Sequence, residues 1–232
     1  MANDPRRPTE AEIDEAEVAS FPASDPHALH VERQAEGREP AADARSSGGD
    51  IALGRIKNAV IGQFEAALSM HDECLRRCPA EHWDASIAKY PFWMVAYHTL
   101  CFVDCYLAPN DDAFQVRPEY HPRGRAELDE EYPSRRFTQQ ELLAYAAICR
   151  QRLRRVIEAE TRETLEGHSG FSHLPFSRLE LHLYNIRHVQ HHTGQLTAFL
   201  RRVGIDTPWV RTGWRAAGGG GRGESGESPG SL

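Results

Sequence analysis

The chain has 232 residues, 40% of them hydrophobic, and a formal net charge of −7. That acidic balance argues against nucleic acid or an anionic membrane surface as a partner, and the lack of any run of about 18 apolar residues argues against a transmembrane helix. The opening stretch MANDPRRPTEAEIDEAE has early arginines but no apolar core of a secretory signal, so a cytoplasmic protein is expected.

Residues 1–48 are rich in Ala, Pro, Glu, Asp and Arg and poor in large apolar side chains. Such a composition buries too little surface to offset its ordering entropy, so a disordered acidic, Pro-rich segment is expected there. A first helix is predicted from about Ile51 to Arg77, with Asp50 as N-cap and Pro79 beyond its end. Val60, Phe64, Ala67, Leu68, His71 and Leu75 fall on one face of it. A second helix is predicted from about Pro91 to Leu107; proline suits a first helical turn, and Pro109 follows the end.

The stretch from Ala108 to Arg136 is long for a bundle connection. It is polar, carries Pro118, Pro122 and Pro133, and holds the acidic run Asp129-Glu130-Glu131, read as solvated. Connections of this length are commonly functional or mobile. The third helix opens with a capping box, Thr138 with Glu141, and a staple from Phe137 to Leu142; it is expected to run to about Leu165, with Gly167 just past it. The fourth repeats the device with Ser177, Glu180, Phe176 and Leu181, and ends near Val203 with Gly204 at C′. Residues 213–232 form a Gly/Ser-rich tail, flexible by composition.

No segment alternates with period two, so no sheet of consequence is expected. Cys74, Cys78, Cys101, Cys105 and Cys149 are odd in number and all lie in helical stretches, which fits reduced, buried thiols. The expected fold is all-α: an up-and-down type four-helix bundle over residues 49–212, with a long connection between helices 2 and 3 and disordered termini.

Six of the twelve histidines lie between His168 and His192. On the fourth helix His188 and His192 share a face with Leu181 and Phe199, while Arg187, Gln190 and Arg201 lie opposite. Imidazoles one turn apart meet over the same helix surface and can hold one cation. Two ligands make a weak site. His98 is the best third, because Met94, Val95, Cys101, Phe102 and Cys105 surround it on an apolar face of helix 2, where an imidazole needs a partner. Asp104 points away from that face. Three neutral imidazoles suit Zn²⁺ or Ni²⁺ and leave positions open for water or a small-molecule substrate. His191 sits at the rim. His71 reads either as a fourth ligand or, preferably, as a core residue bonded to a neighbour. Cys101 and Cys105 read as small buried hydrophobes, and Tyr184 as packing with a hydroxyl within reach of a ligand.

The run HVQHHTGQL, ending a bundle whose second helix carries a lone inner histidine, resembles the DinB-like metal-binding four-helix bundle family over roughly residues 51–210. The resemblance implies that His98, His188 and His192 are the three metal ligands. It also implies a metal-dependent transferase or isomerase using a low-molecular-weight thiol, whose thiolate the metal would stabilise. The alternatives are a metal-dependent hydrolase, or a non-catalytic metal- or ligand-binding stress protein; an open three-ligand site favours the enzyme and a closed four-ligand site the binder. An exposed apolar helix stripe would allow a homodimer. Residues 11–27, EIDEAEVASFPASDPHA, are similar to a short acidic segment that recurs in small bacterial proteins, and read as a docking or linker segment.

Overall fold

The computed structural model describes residues 46–129 and 135–215. The expectations for residues 1–45 with their SFPASDP motif, for Glu130, Glu131 and Pro133, and for the tail beyond Arg215 lie outside these residues.

Helix α1 spans Ser46–Arg77, five residues longer at its start than the Asp50 cap predicted. Asp50 is therefore inside the helix, and the Gly49 carbonyl accepts from the Arg162 guanidinium at 3.4 Å. The predicted inner face holds: Val60, Phe64, Ala67, Leu68, His71 and Leu75 are all buried. A turn of 3₁₀ helix (Ala80–His82) and a two-residue antiparallel hairpin, β1 (Ser86–Ile87) with β2 (Tyr90–Pro91), follow. The protein is otherwise an all-α bundle.

Helix α2 spans Phe92–Tyr106 behind an N-cap at Pro91. All its residues are buried except His98 and Phe102. A helix apolar nearly all round belongs in the middle of a bundle, and α2 packs against both later long helices. The connection after it is less open than its composition suggests. Phe114, Tyr120, His121 and Glu127 are buried, and a single turn, α3 (Ala126–Asp129), forms within it.

Helix α4 spans Gln139–Ala159, and both arms of the Thr138–Glu141 capping box are formed. It stops six residues short of the predicted Leu165. Glu160 leaves the helix in an extended conformation, and Thr161 caps a separate short helix, α5 (Arg162–Glu166), through reciprocal bonds with Thr164. The physical reason is tertiary. The Glu160 carboxylate turns inward to meet Arg178 at 3.0 Å and His182 at 3.0 Å.

Helix α6 spans Arg178–Arg202; Ser177 Oγ accepts from the Glu180 N–H, and Val203 closes the end. Gly204 takes a positive φ of 83°, the left-handed C′ conformation glycine permits. At the other end, Arg178 donates to the carbonyls of Tyr106 and Ala108 at 3.3 and 2.7 Å, so it caps the C-terminus of α2.

Helices α1 and α2 each lie against both α4 and α6. The main core draws on all four, and a smaller apolar cluster forms around Tyr106, Phe114, Phe171, Leu174 and Leu181. After α6 the chain returns along α1: Gly213 N–H donates to the Gly62 carbonyl at 2.8 Å, and Trp214 stacks under the Arg150 guanidinium. A Cβ on Gly62 would meet Thr212 Oγ1 at 2.7 Å, so a larger residue there would have to displace that hydroxyl. No helix among the described residues is long and apolar enough to cross a membrane.

Candidate metal centre

His98 comes from the middle of α2, and His188 and His192 from successive turns of α6. The inner-face phase read from the sequence brings all three together. One donor atom from each lies within 4.8 Å of the others. Ring centroids are 5.3 Å apart for His98–His188, 4.9 Å for His98–His192 and 4.6 Å for His188–His192.

The Nε2 atoms of His98 and His188 stand 3.4 Å apart. Two imidazole nitrogens about 2.0–2.1 Å from one tetrahedral zinc ion are separated by roughly 3.3–3.4 Å, so this pair already has the spacing of ligands sharing a cation. His192 Nδ1 is 2.8 Å from Gln195 Oε1. An amide oxygen can only accept, so Nδ1 carries the proton and Nε2 keeps its lone pair for ligation, an orienting contact common behind ligand histidines. His188 Nδ1 is buried with no hydrogen-bond partner. The donor set therefore fits a divalent transition metal.

Electrostatics agree. Burial, with repulsion from His192, lowers His98 to about 3, and burial lowers His192 to about 4. His188 is driven well below its ordinary value by burial and by the other two rings. All three are neutral at physiological pH, the form that ligates. His192 is buried whereas His98 and His188 are only half-buried, so the cluster reaches the surface on one side.

The neighbours sort as follows. His191 is exposed and lies edge-on to His192, the rim position expected. Asp104 points away, into an ion-paired cluster with Arg152 and Arg117. Burial pushes the Cys105 thiol up to about 12 and Cys101 further, and neither sulfur joins the converging group. Tyr184 packs edge-on against Tyr106.

His71 departs from the reading preferred for it. It is wholly buried on α1, yet neither ring nitrogen closes a hydrogen bond with a neighbour. The Ala96 carbonyl lies near enough to favour its protonated form, but burial and His192 outweigh it and lower His71 to about 3. His71 does not join the converging group of three.

Two buried histidines were not singled out by the sequence. His121 Nε2 meets Tyr145 Oη at 2.9 Å, and its Nδ1 accepts from the Arg117 N–H at 3.0 Å. His182 Nε2 meets Glu160 at 3.0 Å. For His182 a signal existed, since Arg178 and His182 stand one turn apart on the same face of α6. For His121, inside the long connection, there was none.

Compared with protein families, residues 60–220 match the DinB family. No curated protein and no solved structure matches the chain.

Proposed function

The chain belongs to the DinB family, and from that premise we propose that it binds one divalent metal through His98, His188 and His192 and uses it in a reaction on a small molecule. The observation that carries this reading is the 3.4 Å approach of two imidazole nitrogens from different helices, in a cluster where all three rings are held neutral. Zn²⁺ and Ni²⁺ suit such a donor set best.

A metal in this position supplies a Lewis acid, able to lower the pKa of a bound water or thiol. The chain's own groups do the rest. Gln195 fixes the His192 tautomer. Among the described residues the converging group contains no carboxylate that would serve as a general base. A transfer or isomerisation whose nucleophile arrives as a low-molecular-weight thiol therefore fits better than hydrolysis.

Metal analysis of the purified protein tests the site. His98→Ala and His188→Ala should each lose stoichiometric metal, and unchanged metal content in both would overturn the reading. Thermal-shift screening of the metal-loaded protein with low-molecular-weight thiols tests the cofactor: stabilisation that disappears in His188→Ala supports it, and no shift with any thiol rejects it.

A further inference from the structure

Only two side chains of α2 are not fully buried, and they stand one turn apart: His98 and Phe102. What this otherwise sealed helix presents beside its surface is thus one metal-type donor and one phenyl ring. The ring belongs to a strip. Phe102 lies against His98 and His188 at one end, and against Tyr106 at 5.5 Å at the other. Tyr106 meets Tyr184 at 5.6 Å, and Tyr184 meets Phe176 at 5.7 Å.

Two helical spacings produce this alignment. His98, Phe102 and Tyr106 are i, i+4 and i+8 on α2, and Tyr184 and His188 are i and i+4 on α6, so the two rows lie against each other along the α2–α6 seam. Phe102, Tyr184 and Phe176 are half-buried, and they rest on the smaller apolar cluster rather than on the main core. Phe102 abuts both half-buried histidines, and the Arg187 guanidinium lies over the Tyr184 ring, 5.2 Å from its centroid.

We propose that this strip is the recognition subsite for the aryl group of a small molecule whose polar head is held at the three histidines. The assignment rests on the metal reading above and adds a substrate class to it: an aromatic ring joined directly to a metal-binding group. A flat ring entering beside Phe102 gains edge-on and offset contacts in the 4.5–7 Å centroid range that aromatic pairs prefer. An alkyl chain of equal area gains only its transfer free energy. Phe102 is the specificity-determining residue, with Tyr184 extending the surface.

Hydroxamates, which chelate divalent metals through one head group, separate the two claims. With the zinc-loaded full chain, benzohydroxamate should bind roughly tenfold tighter than acetohydroxamate, and hexanohydroxamate should fall between them. In Phe102→Leu, which keeps apolar bulk, and in Phe102→Ala, the benzo-to-aceto preference should collapse to within about twofold while zinc content and acetohydroxamate affinity persist. Tyr184→Ala should reduce the preference in part. Equal affinity for the two hydroxamates, a hexanohydroxamate as tight as the benzo compound, or a preference surviving both Phe102 variants overturns the subsite and leaves the metal site standing. A protein that retains no zinc and binds neither hydroxamate overturns the metal reading, and the subsite with it.

Discussion

Two sets of histidines in this bundle differ in their partners. His121 and His182 are bonded to a tyrosine hydroxyl and a carboxylate, within clusters that also satisfy Arg117 and Arg178. His98, His188 and His192 turn nitrogens toward one another instead. A buried polar group is tolerated when its hydrogen bonds are made and costs about 1–3 kcal/mol when they are not. The first set is therefore tied into the architecture, although His182 Nδ1 closes no hydrogen bond. The second has the spacing of ligands that could share one cation.

The sharpest way to break this contrast is to damage the architectural side alone. Arg152→Met leaves the Asp104 carboxylate, wholly buried, with only the half-exposed Arg117 as ionic partner. The expected loss is about 3 kcal/mol or more in chemical denaturation, with zinc binding retained; a loss under about 1 kcal/mol would show that Asp104 does not need the pair. Next comes the metal itself. Zinc at a hundredfold excess over its dissociation constant should raise stability by about 2.7 kcal/mol in the native chain and in His182→Gln, but not in His188→Ala. Equal stabilisation of all three would erase the distinction between the two sets.

Acid should destabilise the metal-free protein, and by less. His71 and His98 are lowered to about 3 and His192 to about 4, against about 6.5 in the unfolded chain. Between these values the unfolded state binds more protons, so stability is full above about pH 6.5 and falls as pH drops toward 4. Denaturation midpoints from pH 7.5 to 5 should show this decline, and His71→Gln should flatten it; a midpoint independent of pH would contradict the burial of these rings. His121→Gln should cost about 1–3 kcal/mol through its lost tyrosine bond without altering zinc content, which atomic absorption would report. Smallest is Thr138→Ala, about 1 kcal/mol from the lost cap, read as a lowered melting temperature with the zinc stoichiometry of the native chain.

Helix positions and the three converging histidines were legible because both follow from periodicity: one turn separates His188 from His192, and apolar neighbours mark the face that His98 shares. Caps at Thr138 and Ser177 were legible for the same local reason. What sequence could not supply was partner choice across the fold. AETRET holds helix formers and the Thr161 cap alike, so the stop of α4 at Ala159 could not be read; Glu160 turns there to Arg178 and His182, 18 and 22 residues beyond it. Asp104 lies away from the converging histidines, as its helical phase implied, yet its pairing with Arg152, 48 residues away, could not be read. His71 shows the converse: a face read from periodicity, and an expected bond that the packing does not provide.

The Arg178 guanidinium gathers carbonyls from Tyr106, Leu107, Ala108 and Ser169 and the carboxylate of Glu160 around one cation. Most of these partners lie 70 or more residues away in the chain, so the corner can close only after α2 and α6 have already docked. Interactions made after the folding barrier are broken before it in reverse. If that corner forms after the folding barrier, Arg178 acts on how long the bundle stays assembled and not on how quickly it forms.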